Sequence, residues 1–137
     1  VIEEDNVSGA LDCERICKTA ELYRVAAEIY LLRTVLGLSP SSTEVQALVT
    51  SSLRIINDLG TCTSPWPVFV VACEVVIDEQ RIEVLDAIDK MQKGRRIGNV
   101  EIMRGIIETL WKRRDLSDWD GDWRELFDTN GRIPSFI

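Results

Sequence analysis

Glu74 stands alone in an apolar stretch. In SPWPVFVVACEVVIDEQR (64–81), every residue from Trp66 to Ile77 other than that acid is apolar. A carboxylate there is costly to bury unless it is paired. Two chemistries fit. It can reach a helix edge or meet an arginine, such as Arg81 or Arg104, pairing being the commoner fate of a buried charge. Alternatively, it can be the polar anchor of an otherwise apolar ligand pocket made with Trp66, Phe69 and Cys73.

The remaining reactive residues point to little chemistry. The chain contains no histidine, so Ser-His-Asp and Cys-His arrangements are impossible. It has no GxSxG, no GxxxxGK[ST] and no GxGxxG after a strand. Its acids fall mostly on solvated helix faces, and no catalytic residue is assigned. The four cysteines, Cys13, Cys17, Cys62 and Cys73, lack the close paired spacing of a four-thiolate zinc site and read as reduced thiols. The run DWDGD (118–122) invites a calcium reading. Counted from Asp118, however, Gly121 falls two places early and Thr129 stands where a bidentate acid is needed. A capped turn is the better reading, so no metal or cofactor is expected in this segment. KGRR (93–96) and KRR (112–114) read as charge complementing helix C-termini.

These residues need positions, and the periodicity supplies helices. Residues 10–36 carry Ile16, Ala20, Tyr23, Ala27, Tyr30 and Leu31 at helical steps and predict one long amphipathic helix, ended by Gly37 and Pro40. Ser41 with Glu44 predicts a capping box. It opens a helix with a buried stripe of Val45, Leu48, Val49, Ser52, Ile56 and Leu59, stopped by Gly60. Residues 66–77 carry strand-forming valines, yet no partner strand is evident, and unpaired buried backbone is costly. With Pro67 in a first turn and Ser64 just before it, this stretch is predicted to be a central buried helix, apolar nearly all round. Residues 78–92, capped by Asp78, present Ile82, Leu85, Ile88 and Met91. A helix from Asn99 to about Arg114 presents Val100, Met103, Ile107, Leu110 and Trp111, and Gly105 either weakens it or admits a close neighbour. A last short helix begins at Asp122, and the tail NGRIPSFI is irregular. The expected fold is all-α: one domain over 1–137, an irregular array of about six helices.

Composition narrows the partners. The chain of 137 residues is 45% hydrophobic and 28% charged, with a formal charge of -7. That balance suits a globular domain and disfavours direct contact with nucleic acid. No apolar run reaches the roughly 20 residues that a bilayer requires, so no membrane contact is expected, and the acidic start VIEEDN is unlike a signal peptide. The first residue, Val1, suggests a piece of a longer chain.

The order of segments carries one more signal. AAEIYLLRTVLG (26–37) and TEVQALVTSSLRIINDLG (43–60) are followed by WPVFVVACEVVIDEQRIEVLDAI (66–88). RRIGNVEIMRGIIETLWKRRD (95–115) and DWRELF (122–127) close the series. Over roughly 20–127 this order resembles the C-terminal part of the fungal-specific transcription factor regulatory domain, found in regulators that carry a six-cysteine binuclear zinc cluster. The resemblance implies an interior helix at 66–77, a nuclear regulator and a regulatory role without catalysis. It implies as partners the rest of the parent chain, a second copy meeting through residues 10–36, or a co-regulator protein. Some such domains respond to metabolites or lipids, which is the alternative role for the Trp66, Phe69, Cys73 and Glu74 pocket. The cysteines here do not match the zinc cluster, so neither zinc nor DNA binding transfers to these residues.

Overall fold

The computed structural model describes residues 2–94, 98–117, 119–121 and 123–126. Five α-helices run in the order α1 (Ile2–Thr34), α2 (Thr43–Leu59), α3 (Pro65–Glu74), α4 (Asp78–Gly94) and α5 (Gly98–Leu116). A single 3-10 turn (Trp123–Leu126) follows. No strand occurs among the described residues, and the fold is all-α as the periodicity predicts.

α3 is the centre. Every residue from Pro67 to Val75 is buried, and the helix packs against α1, α2, α4 and α5. Pro65 occupies its first turn, where a missing N–H costs nothing. It starts one residue before the predicted position and ends three residues sooner. Val75 is already extended, at φ -72° and ψ 130°. The β-branched run Val75-Val76-Ile77 favours that conformation, and Val76 and Ile77 turn out to solvent.

α1 departs from its expected face. Its seam is Leu22, Val25, Ala26 and Ile29, whereas Ile16 is 68% exposed and Leu31 is 54% exposed. Ala20 and Ala27 are exposed too. The buried stripe lies one residue away from the predicted one, a rotation of about 100°. The tyrosines account for the shift, because they flank the seam. Tyr23 stacks on Trp66 with ring centroids 5.9 Å apart, and Tyr30 meets the same ring tilted at 6.4 Å.

α2 largely follows its pattern: Val45, Val49, Ser52, Ile56 and Leu59 are buried, Leu53 joins them, and Leu48 is half-buried. Its cap is Ser42 rather than Ser41: Val45 N–H donates to Ser42 Oγ at 3.3 Å. Gly60, at φ 73°, turns the chain out of the helix in a conformation that favours glycine. α4 buries Val84, Ala87, Ile88 and Met91, while Ile82, expected inside, is 68% exposed. α5 buries all five predicted residues, Val100, Met103, Ile107, Leu110 and Trp111. A side chain at Gly105 would meet open space, so this glycine admits no neighbour. Arg95 and Arg96 of the basic loop, Asp118 and Asp122 of the acidic turn, and the tail at 130–137 lie outside the described residues.

Candidate functional site: a buried arginine–glutamate cluster at the end of α3

The end of a buried helix raises a definite physical problem. Its last carbonyls have no partner within the helix, and water cannot reach them. Here side chains from other elements reach them. Trp111 Nε1 donates to the Ala72 carbonyl at 2.9 Å. Arg114 donates to the Cys73 carbonyl. Gln46 Nε2 donates to the Glu74 carbonyl at 2.9 Å and to Pro40 at 2.6 Å. A guanidinium at this terminus also complements the helix dipole. Arg15 does the same for α2, donating to the carbonyls of Leu59 and Thr61 at 3.0 Å each.

The Glu74 carboxylate completes the cluster. Arg33 Nε lies 2.6 Å from Glu74 Oε2, and an Arg114 terminal nitrogen lies 3.8 Å from Oε1. The three side chains are 7%, 4% and 9% exposed. Burial pushes the Arg114 guanidinium below its ordinary value; Glu74 and Cys73 oppose that, while Arg33 and Arg81 add to it. Glu74 thus meets arginines, but not the ones expected from sequence. Arg81 pairs with Asp115, a bidentate contact at 2.8 and 3.0 Å, and Arg104 pairs with Asp89 and Glu108.

The arginines also grip backbone. Arg33 donates to Leu38 at 2.6 Å and to Asp120 at 2.9 Å, and Arg114 donates to Gly121 at 3.0 Å. Trp119 lies over Arg113 at 4.4 Å and bonds Glu125 through Nε1 at 2.9 Å. Trp123 meets Phe69 edge-on at 5.3 Å. Beneath it lies a cavity of about 10 Å³, lined by residues that include Tyr30, Arg33, Thr34, Cys73, Glu74 and Trp123. That is roughly the least space one water needs.

Of the four residues proposed as a pocket, Cys73 and Glu74 line this cavity, whereas Trp66 and Phe69 lie outside its lining. Trp66 packs between the tyrosines of α1, and Phe69 is fully buried. Sequence reasoning missed Arg33, Gln46, Arg114 and Trp123. A signal existed for the arginines. Arg33 lies four residues beyond Ile29, and Arg114 four beyond Leu110, so each extends its helix's buried stripe. No group of three or more metal-ligating side chains occurs among the described residues, and no helix among them is long and apolar enough to cross a membrane.

A small helical array built on one buried helix, closed by a cluster of arginines, tryptophan and glutamate, is the class of domain that these observations define. The chain belongs to the family described as the fungal specific transcription factor domain, whose profile matches residues 2–137. It is 31% identical over 100 residues to the transcription factor iacI of Pestalotiopsis fici, a match covering 73% of this chain and 26% of that protein. It is 22% identical over 129 residues to an uncharacterized transcriptional regulatory protein of Schizosaccharomyces pombe, covering 90% of this chain and 25% of that protein. The chain thus spans about a quarter of the length of these curated relatives. No solved structure matches it.

Proposed function

We propose that this chain is a non-enzymatic regulatory domain of a fungal transcription factor, acting in the nucleus as the C-terminal portion of a larger regulatory domain. The observation that carries this reading is the family match over residues 2–137. The regulatory names of both relatives support it. The domain controls its parent's activity by helix packing against the rest of that chain, a second copy or a co-regulator protein. Leu31, Val35 and Leu36, exposed together near the end of α1, support such packing. DNA reading belongs to another part of the parent, because the net charge of -7 disfavours phosphate contact here.

The test is a reporter measurement. The parent regulator is expressed with and without the segment corresponding to 2–137, and transcription from its target promoter is followed under inducing and non-inducing conditions. Loss of the difference between conditions, with DNA occupancy retained, is the expected result. A deletion that leaves regulation intact overturns the reading.

A further inference from the structure

Residues 119–121 and the turn Trp123–Leu126 form a strap across the end of α3. Its attachments include backbone carbonyls held by arginines, ring contacts, and the Arg124 guanidinium over Tyr30 at 5.8 Å. The carbonyls of Asp120 and Gly121 accept from Arg33 and Arg114, and the Trp123 ring rests on Phe69 over the cavity beside Glu74. The strap is tightly folded. A Cβ on Gly121 would lie 2.1 Å from Glu125 Oε2 and 2.6 Å from the Trp119 ring.

The chemistry of this contact is incomplete in one respect. Among the described residues, Arg33 and Arg114 share one carboxylate, Glu74, so two buried guanidiniums meet one anion. The strap gives them neutral carbonyl oxygens. A carboxylate offers a guanidinium a full opposite charge and a bidentate fit, neither of which a neutral carbonyl supplies. A free carboxylate would therefore bond better than the strap and balance the charge. The Trp123 ring sits against Phe69, and Val70 lines the cavity beside it.

We propose that the strap occupies, from within the chain, a site for a small aromatic carboxylate, whose acid group would take the guanidinium N–H groups and whose ring would take the place of Trp123. The strap holds its position through tethering, which gives it a high effective concentration. A ligand must displace it and pays by the fraction of time the site is open. The proposal stands apart from the transcriptional reading, since binding alone tests it.

The test uses benzoate as the probe, with benzamide as its uncharged counterpart and sodium chloride at matched ionic strength. Binding is followed by thermal melting and by tryptophan fluorescence, for the unaltered chain and for Trp123→Ala. Benzoate is expected to raise the melting temperature and benzamide to leave it unchanged, with benzoate binding Trp123→Ala about tenfold more tightly. Arg33→Lys, which keeps the charge on Glu74 but loses the fork, is expected to weaken benzoate binding. If Trp123→Ala does not fold by circular dichroism, Trp123→Leu, which removes the ring but keeps an apolar contact on Phe69, carries the same comparison. Equal shifts with benzoate, benzamide and chloride overturn the proposal, as does equal benzoate affinity with the strap intact and dislodged.

Discussion

Arg33 and Glu74, forty-one residues apart in sequence, meet at 2.6 Å where α1 and α3 both end, with 7% and 4% of their side chains exposed. Taking two such charges out of water costs several kcal/mol each, so the contact contributes little net stability compared with an apolar pair. Its effect is on geometry. The pair fixes the end of α3 against the end of α1, and Arg114 adds the end of α5. Removing the acid alone leaves two guanidiniums facing each other in the core. Glu74→Gln should therefore destabilise the chain by about 3–5 kcal/mol, measured by urea unfolding. A Glu74→Met, Arg33→Met double variant should lose less than the sum of its parts. Strict additivity would show that the two residues do not act as a pair.

The caps offer a sharper test of local structure. Ser42 accepts from Val45 N–H, while Ser41 is exposed and contacts only Ser39. Ser42→Ala should cost about 1 kcal/mol and Ser41→Ala close to nothing, read as separate shifts in the unfolding midpoint. The reverse order would restore the cap that the Ser-x-x-Glu spacing predicts.

That one-residue difference indicates how far the sequence could be read. Periodicity located α1, α2, α4 and α5, because amphipathic stripes and glycine stops act locally, whereas α3, apolar nearly all round, was placed by Pro67 and the lack of a partner strand. In α5 the apolar residues make one uninterrupted seam, and all five predicted positions are buried. In α1, tyrosines and alanines sit beside the seam, and their apolar character shifted the predicted face by one position. Glu74 was recognisable as a charge needing a partner. Its partners were not, because a partner is fixed by how three helix ends meet, and Arg81 and Arg104 instead pair with acids of α4 and α5. Arg33 and Arg114 stood out only as charged residues continuing buried stripes, which requires the correct stripe first. The strap contributes backbone carbonyls, and those leave no mark in residue types.

The rim pair predicts a pH dependence. The Arg81 guanidinium, bonded to both oxygens of Asp115, holds that carboxyl below its ordinary value. A depressed folded-state value means that the stabilisation is fully present above the unfolded value, about 3.9, and is lost as pH falls through the folded one. Asp115 is 57% exposed, so solvent screens the pair and its contribution stays under about 1 kcal/mol. Asp115→Asn should flatten the acid limb of a stability-against-pH curve below about pH 4 and leave neutral stability nearly unchanged. An unaltered acid limb would exclude the pair as a contributor.

Trp111 holds two contacts that one substitution can separate. Its Nε1 donates to the Ala72 carbonyl at 2.9 Å, and its ring carries the Arg81 guanidinium at 5.2 Å. Trp111→Phe keeps a ring in place and removes the donor. The Ala72 carbonyl then keeps only the Val75 N–H, at 3.4 Å, and losing one hydrogen bond of this kind costs about 0.5–1.5 kcal/mol. Trp111→Phe should therefore destabilise by that amount, and hydrogen exchange should speed up first at Val75 and Val76, next to the released terminus. Uniform acceleration across all five helices would instead show that α3 has no separable end.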